Sequence, residues 1–305
     1  MTLSFLERLQ KGVMLCDGAM GTLLHLRGVP FDSSFEELNV SHPDMVLEVH
    51  RDYIKAGAEI IETNTFGANA VRLKEFGLEK KVREINLKGV KIAREAGEME
   101  GKEVFVAGSM GPLGKSATPP NRISEKDMMD IFQEQTESLL QGGVDLLILE
   151  TFSDITELSL AVSAVRNICQ LPIIASMTFN EDRKTIHGLS AEAAGYELNR
   201  LDVEIIGANC GTGPQNMSEI TKTLSQISSK MLSIQPSAGI PQNVDGNFIY
   251  PASPEFFTEC LKGCVSSGAN IIGGCCGTTP EYIRSLSLML KNINPSASSD
   301  KSQTE

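Results

Sequence analysis

Two adjacent cysteines, Cys275 and Cys276, stand in the run Gly-Gly-Cys-Cys-Gly-Thr-Thr-Pro, directly after the apolar residues Ala269 to Ile272. A third, Cys210, holds the matching place in Glu204-Ile-Ile-Gly-Ala-Asn-Cys-Gly. Three thiols at the ends of two apolar runs suggest a metal site. Zinc bound by three thiolates keeps one position open, as catalytic zinc sites do, whereas structural sites close with four protein ligands. No fourth ligand is evident, because CxxC pairs are absent and His25, His42, His50 and His187 lack metal-ligand spacing. An open position on a thiolate-rich zinc suits a substrate that is itself a thiol.

A lone cysteine after an apolar run is more often packing than ligand, which is the reading for Cys16, Cys169, Cys260 and Cys264. Adjacent cysteines fit packing poorly, since neighbouring strand residues point to opposite faces. Gly273, Gly274 and Gly277 allow the backbone to turn so that both sulfurs converge. A vicinal disulfide or redox switch stands beside ligation as the other use of the pair, and a redox or metal-buffering protein is the corresponding function.

Positioning these residues requires a scaffold, and the chain shows an eightfold rhythm. Short β-rich runs cover Val13 to Cys16, Glu59 to Thr63, Val104 to Gly108, Asp145 to Glu150, Pro172 to Met177, Glu204 to Ala208, Met231 to Gln235 and Ala269 to Gly273. Runs without clean alternation, such as Leu146-Leu-Ile-Leu, suit strands buried on both faces. Helical patterns lie between, among them Pro43 to Ala56, Leu78 to Ala96, Ser124 to Gln141 and Pro280 to Lys291. A weak repeat marks the helix-to-strand turns: Ala56-Gly-Ala-Glu-Ile-Ile, Gly142-Gly-Val-Asp-Leu-Leu, Leu201-Asp-Val-Glu-Ile-Ile and Ser267-Gly-Ala-Asn-Ile-Ile. The pattern predicts an α/β fold, a single (β/α)8 TIM barrel over residues 1–292, followed by a disordered tail or linker over 293–305. A doubly wound sheet would show a GxGxxG turn, which is missing.

Bulk properties narrow the classes. The chain of 305 residues has 41% apolar content, enough for one large core. A formal charge of −12 disfavours nucleic acid. No apolar run approaches the roughly 20 residues of a membrane span. Seven cysteines and a start without a secretory h-region point to a reducing, cytoplasmic setting.

Active sites of such barrels lie at the C-terminal ends of the strands. Asp17, Thr63 to Thr65, Ser109, Glu150 and Thr151, Thr178, Asn209 with Cys210, Ser237, and Cys275 with Cys276 all fall there. Asp17-Gly18 reads equally as a turn, and Thr63 to Thr65 as a loop brace. Glu150 ends a buried run, where a carboxylate needs a partner to offset desolvation, and a ligand amine is one. The segment 111–121, with Pro119-Pro120, reads as a lid over the mouth or as a plain surface loop.

The segments Asp17-Gly-Ala-Met-Gly-Thr, Ile61-Glu-Thr-Asn-Thr-Phe-Gly-Ala-Asn, Gly108-Ser-Met-Gly-Pro, Leu149-Glu-Thr-Phe, Gly207-Ala-Asn-Cys-Gly and Gly273-Gly-Cys-Cys-Gly-Thr-Thr-Pro resemble the homocysteine S-methyltransferase family. Within it they look most like the homocysteine-binding barrel of cobalamin-dependent methionine synthase. The resemblance implies one Zn2+ per chain on Cys210, Cys275 and Cys276, with the sulfur of L-homocysteine at the open position. It implies that Asp17 and Glu150 hold the substrate amino group, with Thr65 and Ser109 near the polar end of the amino acid. The implied reaction is methyl transfer to L-homocysteine, giving L-methionine. The implied donor is methylcobalamin, free or on a separate corrinoid protein, since no domain of this chain reads as binding it. S-methylmethionine or betaine is the alternative donor, and the absence of Trp argues against betaine, whose trimethylammonium favours aromatic faces.

Overall fold

Eight parallel strands form one sheet in the order β1 (Met14–Leu15), β10 (Ile271–Ile272), β7 (Met231–Pro236), β6 (Ile205–Cys210), β5 (Ile173–Met177), β4 (Leu146–Phe152), β3 (Phe105–Met110) and β2 (Ile60–Glu62). A parallel bridge between Cys16 and Ile60 closes β1 onto β2, with Glu59 N–H donating to the Leu15 carbonyl at 2.7 Å. The result is the (β/α)8 barrel expected from the rhythm of apolar runs. The computed structural model describes residues 3–114, 123–211, 213–244 and 247–293. The last helix, Pro280–Ile293, continues through the residue where a tail was expected to begin. The rest of that expected tail lies outside the described residues, as does most of the candidate lid, of which only 111–114 is described.

The repeated helix-to-strand turn has a physical purpose. Gly57 and Gly143 end their helices with φ of 115° and 90°, in the left-handed region. The polar residue two positions on then serves the neighbouring strand: Asp145 accepts from Val106 N–H at 2.7 Å, Glu204 from Ile173 N–H at 2.8 Å and Asn270 from Leu232 N–H at 2.9 Å. Near the strand starts, backbone donors that the ladder leaves over are thereby satisfied. Glu59, the fourth of the set, instead pairs with Arg8 of the N-terminal helix Phe5–Leu9.

Period-two alternation sends Met14, Ile60, Ala107, Leu146, Ile148, Ile174, Ile205 and Ile271 into the barrel axis, where Phe5 and Leu9 pack with them. The N-terminal end of the shaft is thus filled. Continuing the same alternation places Glu62, Ser109, Glu150 and Asn209 inward near the C-terminal end. Alternate residues such as Ile61, Val106, Leu147, Leu149 and Ile206 face the helices in the outer core.

An antiparallel hairpin, β8 (Gln242–Val244) and β9 (Asn247–Ile249), interrupts the connection after β7. No strand was expected there. The Asp245-Gly246 pair in the sequence is a hairpin turn signal, but the flanking strands are only three residues each. Among the described residues no helix is long and apolar enough to cross a membrane.

Candidate active site

The C-terminal mouth opens into a cavity of about 320 Å³, and Cys210, Cys275 and Cys276 line it together with Glu62, Ser109 and Glu150. Inward alternation along β6 runs through Asn209, so Cys210 would face outward if the strand continued. Its φ of 57° is left-handed, which is uncommon for a residue with a side chain, and this turn brings the sulfur to the mouth. Thr151, after Glu150 on β4, has a φ of 63°. Both bends lie at the same rim.

Cys275 N–H donates to the Pro236 carbonyl at 2.8 Å and Ala238 N–H to the Cys276 carbonyl at 2.8 Å, so the cysteine pair is pinned to the end of β7. Gly277 follows with φ of 82°, and a side-chain carbon there would fall inside the ring of Tyr250. The ligand atoms of Cys210, Cys275 and Cys276 all lie within 4.8 Å of one another, with Cys210 Sγ 3.9 Å from Cys276 Sγ. Tetrahedral zinc with Zn–S near 2.3 Å requires sulfurs about 3.8 Å apart, so the donor set fits that ion. Hydrogen bonds from Cys210 and Cys275 hold the Cys276 thiol well below its ordinary range. Cys275 is pushed well above it by hydrogen bonding to Cys210 and Cys276 and by burial. The three thiols share their protons as one interacting group, and a divalent cation on the trio would take the place of those protons.

Opposite the sulfurs lies an acidic end. Glu150 is 7% exposed; its Oε1 accepts from Ser109 Oγ at 2.6 Å and its Oε2 from Asn209 Nδ2 at 3.2 Å. Burial, and then the charge of Glu62, push its carboxyl well above the usual range. Asp17 is 2% exposed and does not line the cavity. Its Oδ2 accepts from Glu62 N–H at 3.0 Å, fastening the end of β1 to β2, and ligand atoms of Cys16, Asp17 and Glu62 lie within 4.8 Å of one another.

Glu62 was passed over in the sequence, where the count of rim residues after the second run began at Thr63. It is the carboxylate of β2 that reaches the cavity. Gln235 Nε2 donates to its Oε1, and Ser233 Oγ donates to Gln235 Oε1 at 3.1 Å, which fixes the orientation of that amide. Cys16, read as ordinary packing, points at these acids: its Sγ lies 3.4 Å from Glu62 Oε1 and 3.6 Å from Asp17 Oδ1. Burial and the two carboxylates hold that thiol protonated, so it serves as a donor to them.

Thr65 is fully buried. Its Oγ1 donates to the Ser109 carbonyl at 2.7 Å and lies 2.6 Å from Thr63 Oγ1, bracing β2 against β3. Ser237 Oγ donates to the Gly211 carbonyl at 2.9 Å and braces the Cys210 turn. Aromatic rings crowd one side of the mouth. Phe31 lies 3.8 Å from His25, 5.0 Å from Phe248 and 5.9 Å from Phe35, centroid to centroid, and Phe31, Phe35 and Phe66 line the cavity. The hairpin, where no strand was expected, adds Phe248 against Phe31, with Tyr250 just after it.

A parallel barrel whose mouth joins three thiols to a cluster of carboxylates defines a class of thiol-handling enzymes. The family model for homocysteine S-methyltransferase matches residues 14–290, and the chain belongs to that family. It is 34% identical over 303 residues to a methionine synthase of Mycobacterium tuberculosis, covering 94% of this chain and 25% of that protein. A methionine synthase of Mycobacterium leprae is 33% identical over 304 residues, with 95% and 25% covered. The chain therefore spans about a quarter of the length of these curated relatives. Among solved structures, the metallated form of the homocysteine methyltransferase MmuM from Escherichia coli superposes with a TM-score of 0.79 at 25% identity, covering 93% of this chain and 99% of that one.

Proposed function

We propose that this chain transfers a methyl group to the thiol of L-homocysteine to form L-methionine, with one zinc ion held by Cys210, Cys275 and Cys276. The observation that carries the reading is the placement of three convergent thiols and a buried carboxylate end in one cavity of amino-acid size. Zinc on that trio would supply the charge that removes the proton from a bound thiol, which otherwise titrates near ~8.5 and is mostly protonated at neutral pH.

The chain's own residues orient the acceptor. Glu150, supported by Ser109 and Asn209, presents a carboxylate to the α-ammonium, and Asp17 fixes the strand end beside it. Thr65, on the cavity lining, stands near the polar end of the amino acid and also holds the Ser109 backbone. The blocked lower shaft leaves the acceptor sulfur facing the mouth, where the methyl donor must arrive.

Methylcobalamin, free or presented by a separate corrinoid protein, is the donor favoured by the likeness to methionine synthases. The wall of Phe31, Phe35 and Phe66 supports a second reading. Phenyl faces at a mouth suit a cationic methyl donor such as S-methylmethionine even without Trp. Betaine, with its bulkier trimethylammonium, is the remaining alternative. The test is anaerobic incubation of zinc-loaded protein with homocysteine and each donor in turn, following methionine and, for methylcobalamin, its absorption band. Methionine formed in step with loss of that band supports the corrinoid reading; turnover only with S-methylmethionine replaces it. No methionine from any donor, with zinc in place, would overturn methyl transfer by the isolated chain.

A further inference from the structure

The acidic end of the cavity holds more negative groups than one ammonium needs. Glu62 meets Cys16 and Asp17 from β1, Glu150 from β4 and Gln235 from β7. Glu36, at the rim, is occupied by Gly67 N–H at 2.8 Å and Ser34 Oγ at 3.0 Å. Among the described residues no Lys, Arg or His lines the cavity. Three carboxyls without a cation cannot all ionise at close range. Some of them must keep protons until a positive charge arrives.

Resting on the methyltransferase reading, we propose that Glu62 is the positioning residue that balances the charge of the acceptor's α-ammonium, releasing its own proton to solvent when the amino acid binds. Geometry selects it over Asp17: Glu62 lines the cavity and Asp17 does not, and Asp17 Oδ2 is already taken by Glu62 N–H. Gln235 donates to the ionised form of Glu62, and its amide cannot turn away because Ser233 occupies its oxygen. The group is thus built to accept a negative charge once a cation compensates its neighbours. Burial raises its carboxyl to about 7, helped by the charge of Asp17, so it is partly protonated under ordinary conditions. No bond other than O–H breaks, and the proton leaves as the ammonium enters.

The experiment is calorimetric binding of L-methionine to the zinc-loaded full chain, in two buffers of different ionisation enthalpy at pH 6.5 and pH 8. Methionine carries the ammonium but no thiol proton, so no thiol ionisation enters the count. From Glu62 alone the wild type is expected to release about 0.8 proton per methionine at pH 6.5 and about 0.1 at pH 8, following a group that titrates near 7. Glu62→Gln is expected to release clearly less than the wild type at pH 6.5, any remainder coming from Asp17 and Glu150, whose carboxyls burial also raises. Should that variant fail to fold, Gln235→Ala carries the test: losing its donor must move the release towards higher pH. Equal release by Glu62→Gln and wild type, or an unmoved profile in Gln235→Ala, overturns the role of Glu62. Absence of methionine binding by the wild type overturns the amino-acid site itself.

Discussion

Asn209 Nδ2 stands 3.2 Å from Glu150 Oε2, and Asn209 immediately precedes Cys210 in β6. The same nitrogen lies 2.6 Å from Thr151 Oγ1 and 4.0 Å from Cys275 Sγ, while Asn209 Oδ1 accepts from Thr151 N–H at 2.8 Å. One amide therefore sets the spacing between the carboxylate end and the thiol end. Both left-handed residues of the rim, Thr151 and Cys210, adjoin it. An amino acid held by its ammonium at one end and its sulfur at the other would find that spacing prepared in advance.

Replacing Cys276 with alanine removes the thiol to which its two partners donate. Zinc content is expected to fall from about one ion per chain to near zero, with methyl transfer lost by at least ~100-fold. Metal analysis after gel filtration, run beside a methionine assay, checks this. Full zinc and full turnover in the variant would remove the trio from the chemistry.

Glu150→Gln keeps the size of the side chain and cancels its charge. The KM for homocysteine is expected to rise by roughly 10- to 100-fold, the loss of a charged hydrogen bond worth about 1.5–3 kcal/mol, while zinc content stays unchanged. Steady-state kinetics with metal analysis separates the two ends of the site. Unchanged kinetics would exclude Glu150 from substrate binding.

The buried acids also leave a signature in stability. Glu62 titrates at about 7 in the folded chain against an ordinary value of 4.5. Its folded form thus binds a proton more tightly than its unfolded form, and the stability this contributes is full below about 4.5 and lost as pH rises through 7. Glu62 sees only the cavity and its neighbours, so the loss is at most about 3 kcal/mol. Urea unfolding of the metal-free chain at pH 5 and pH 8 measures it. Glu62→Gln should make the fall shallower by its own share, Asp17 and Glu150 acting in the same sense and buried His50 in the opposite one; a variant as steep as the wild type would contradict the assignment.

Gly207 lies on the inward set of β6, and a side-chain carbon there would collide with the Ser233 carbonyl of β7. Gly207→Ala is expected to cost about 3 kcal/mol, lowering Tm by roughly 5 °C. A scanning melt is sufficient. An unchanged Tm would mean that β6 and β7 are not held as closely as described.

The barrel was legible because its apolar runs and the Gly-containing turns recur, and each turn carries a polar residue with a strand to serve. The thiol trio was legible because paired cysteines between glycines are hard to reconcile with packing. Glu62 was not, although stepping by two from the inward Ile60 reaches it: with Ile61 before and Thr63 after, it read as part of a motif rather than as a wall position. Cys16 looked like core for a related reason. It is fully buried, and only the path of β2 beside it reveals that its neighbours are carboxylates. Asp17 was placed correctly at a strand end, but which of two adjacent acids reaches the cavity depends on backbone direction at the rim. The aromatic wall of Phe31, Phe35 and Phe66 comes from two separate connections, and the hairpin that adds Phe248 to it is too short to announce itself by alternation.

The helix Phe5–Leu9 stoppers the far end of the shaft, and this has a consequence for traffic. A reaction vessel with one doorway admits its reactants in single file. Whatever occupies the deeper seat must be seated before the second reactant comes to the threshold, and must wait for that partner's remnant to step aside before departing. Two-substrate kinetics in such a blind alley should take a compulsory order, with the amino acid first in and last out.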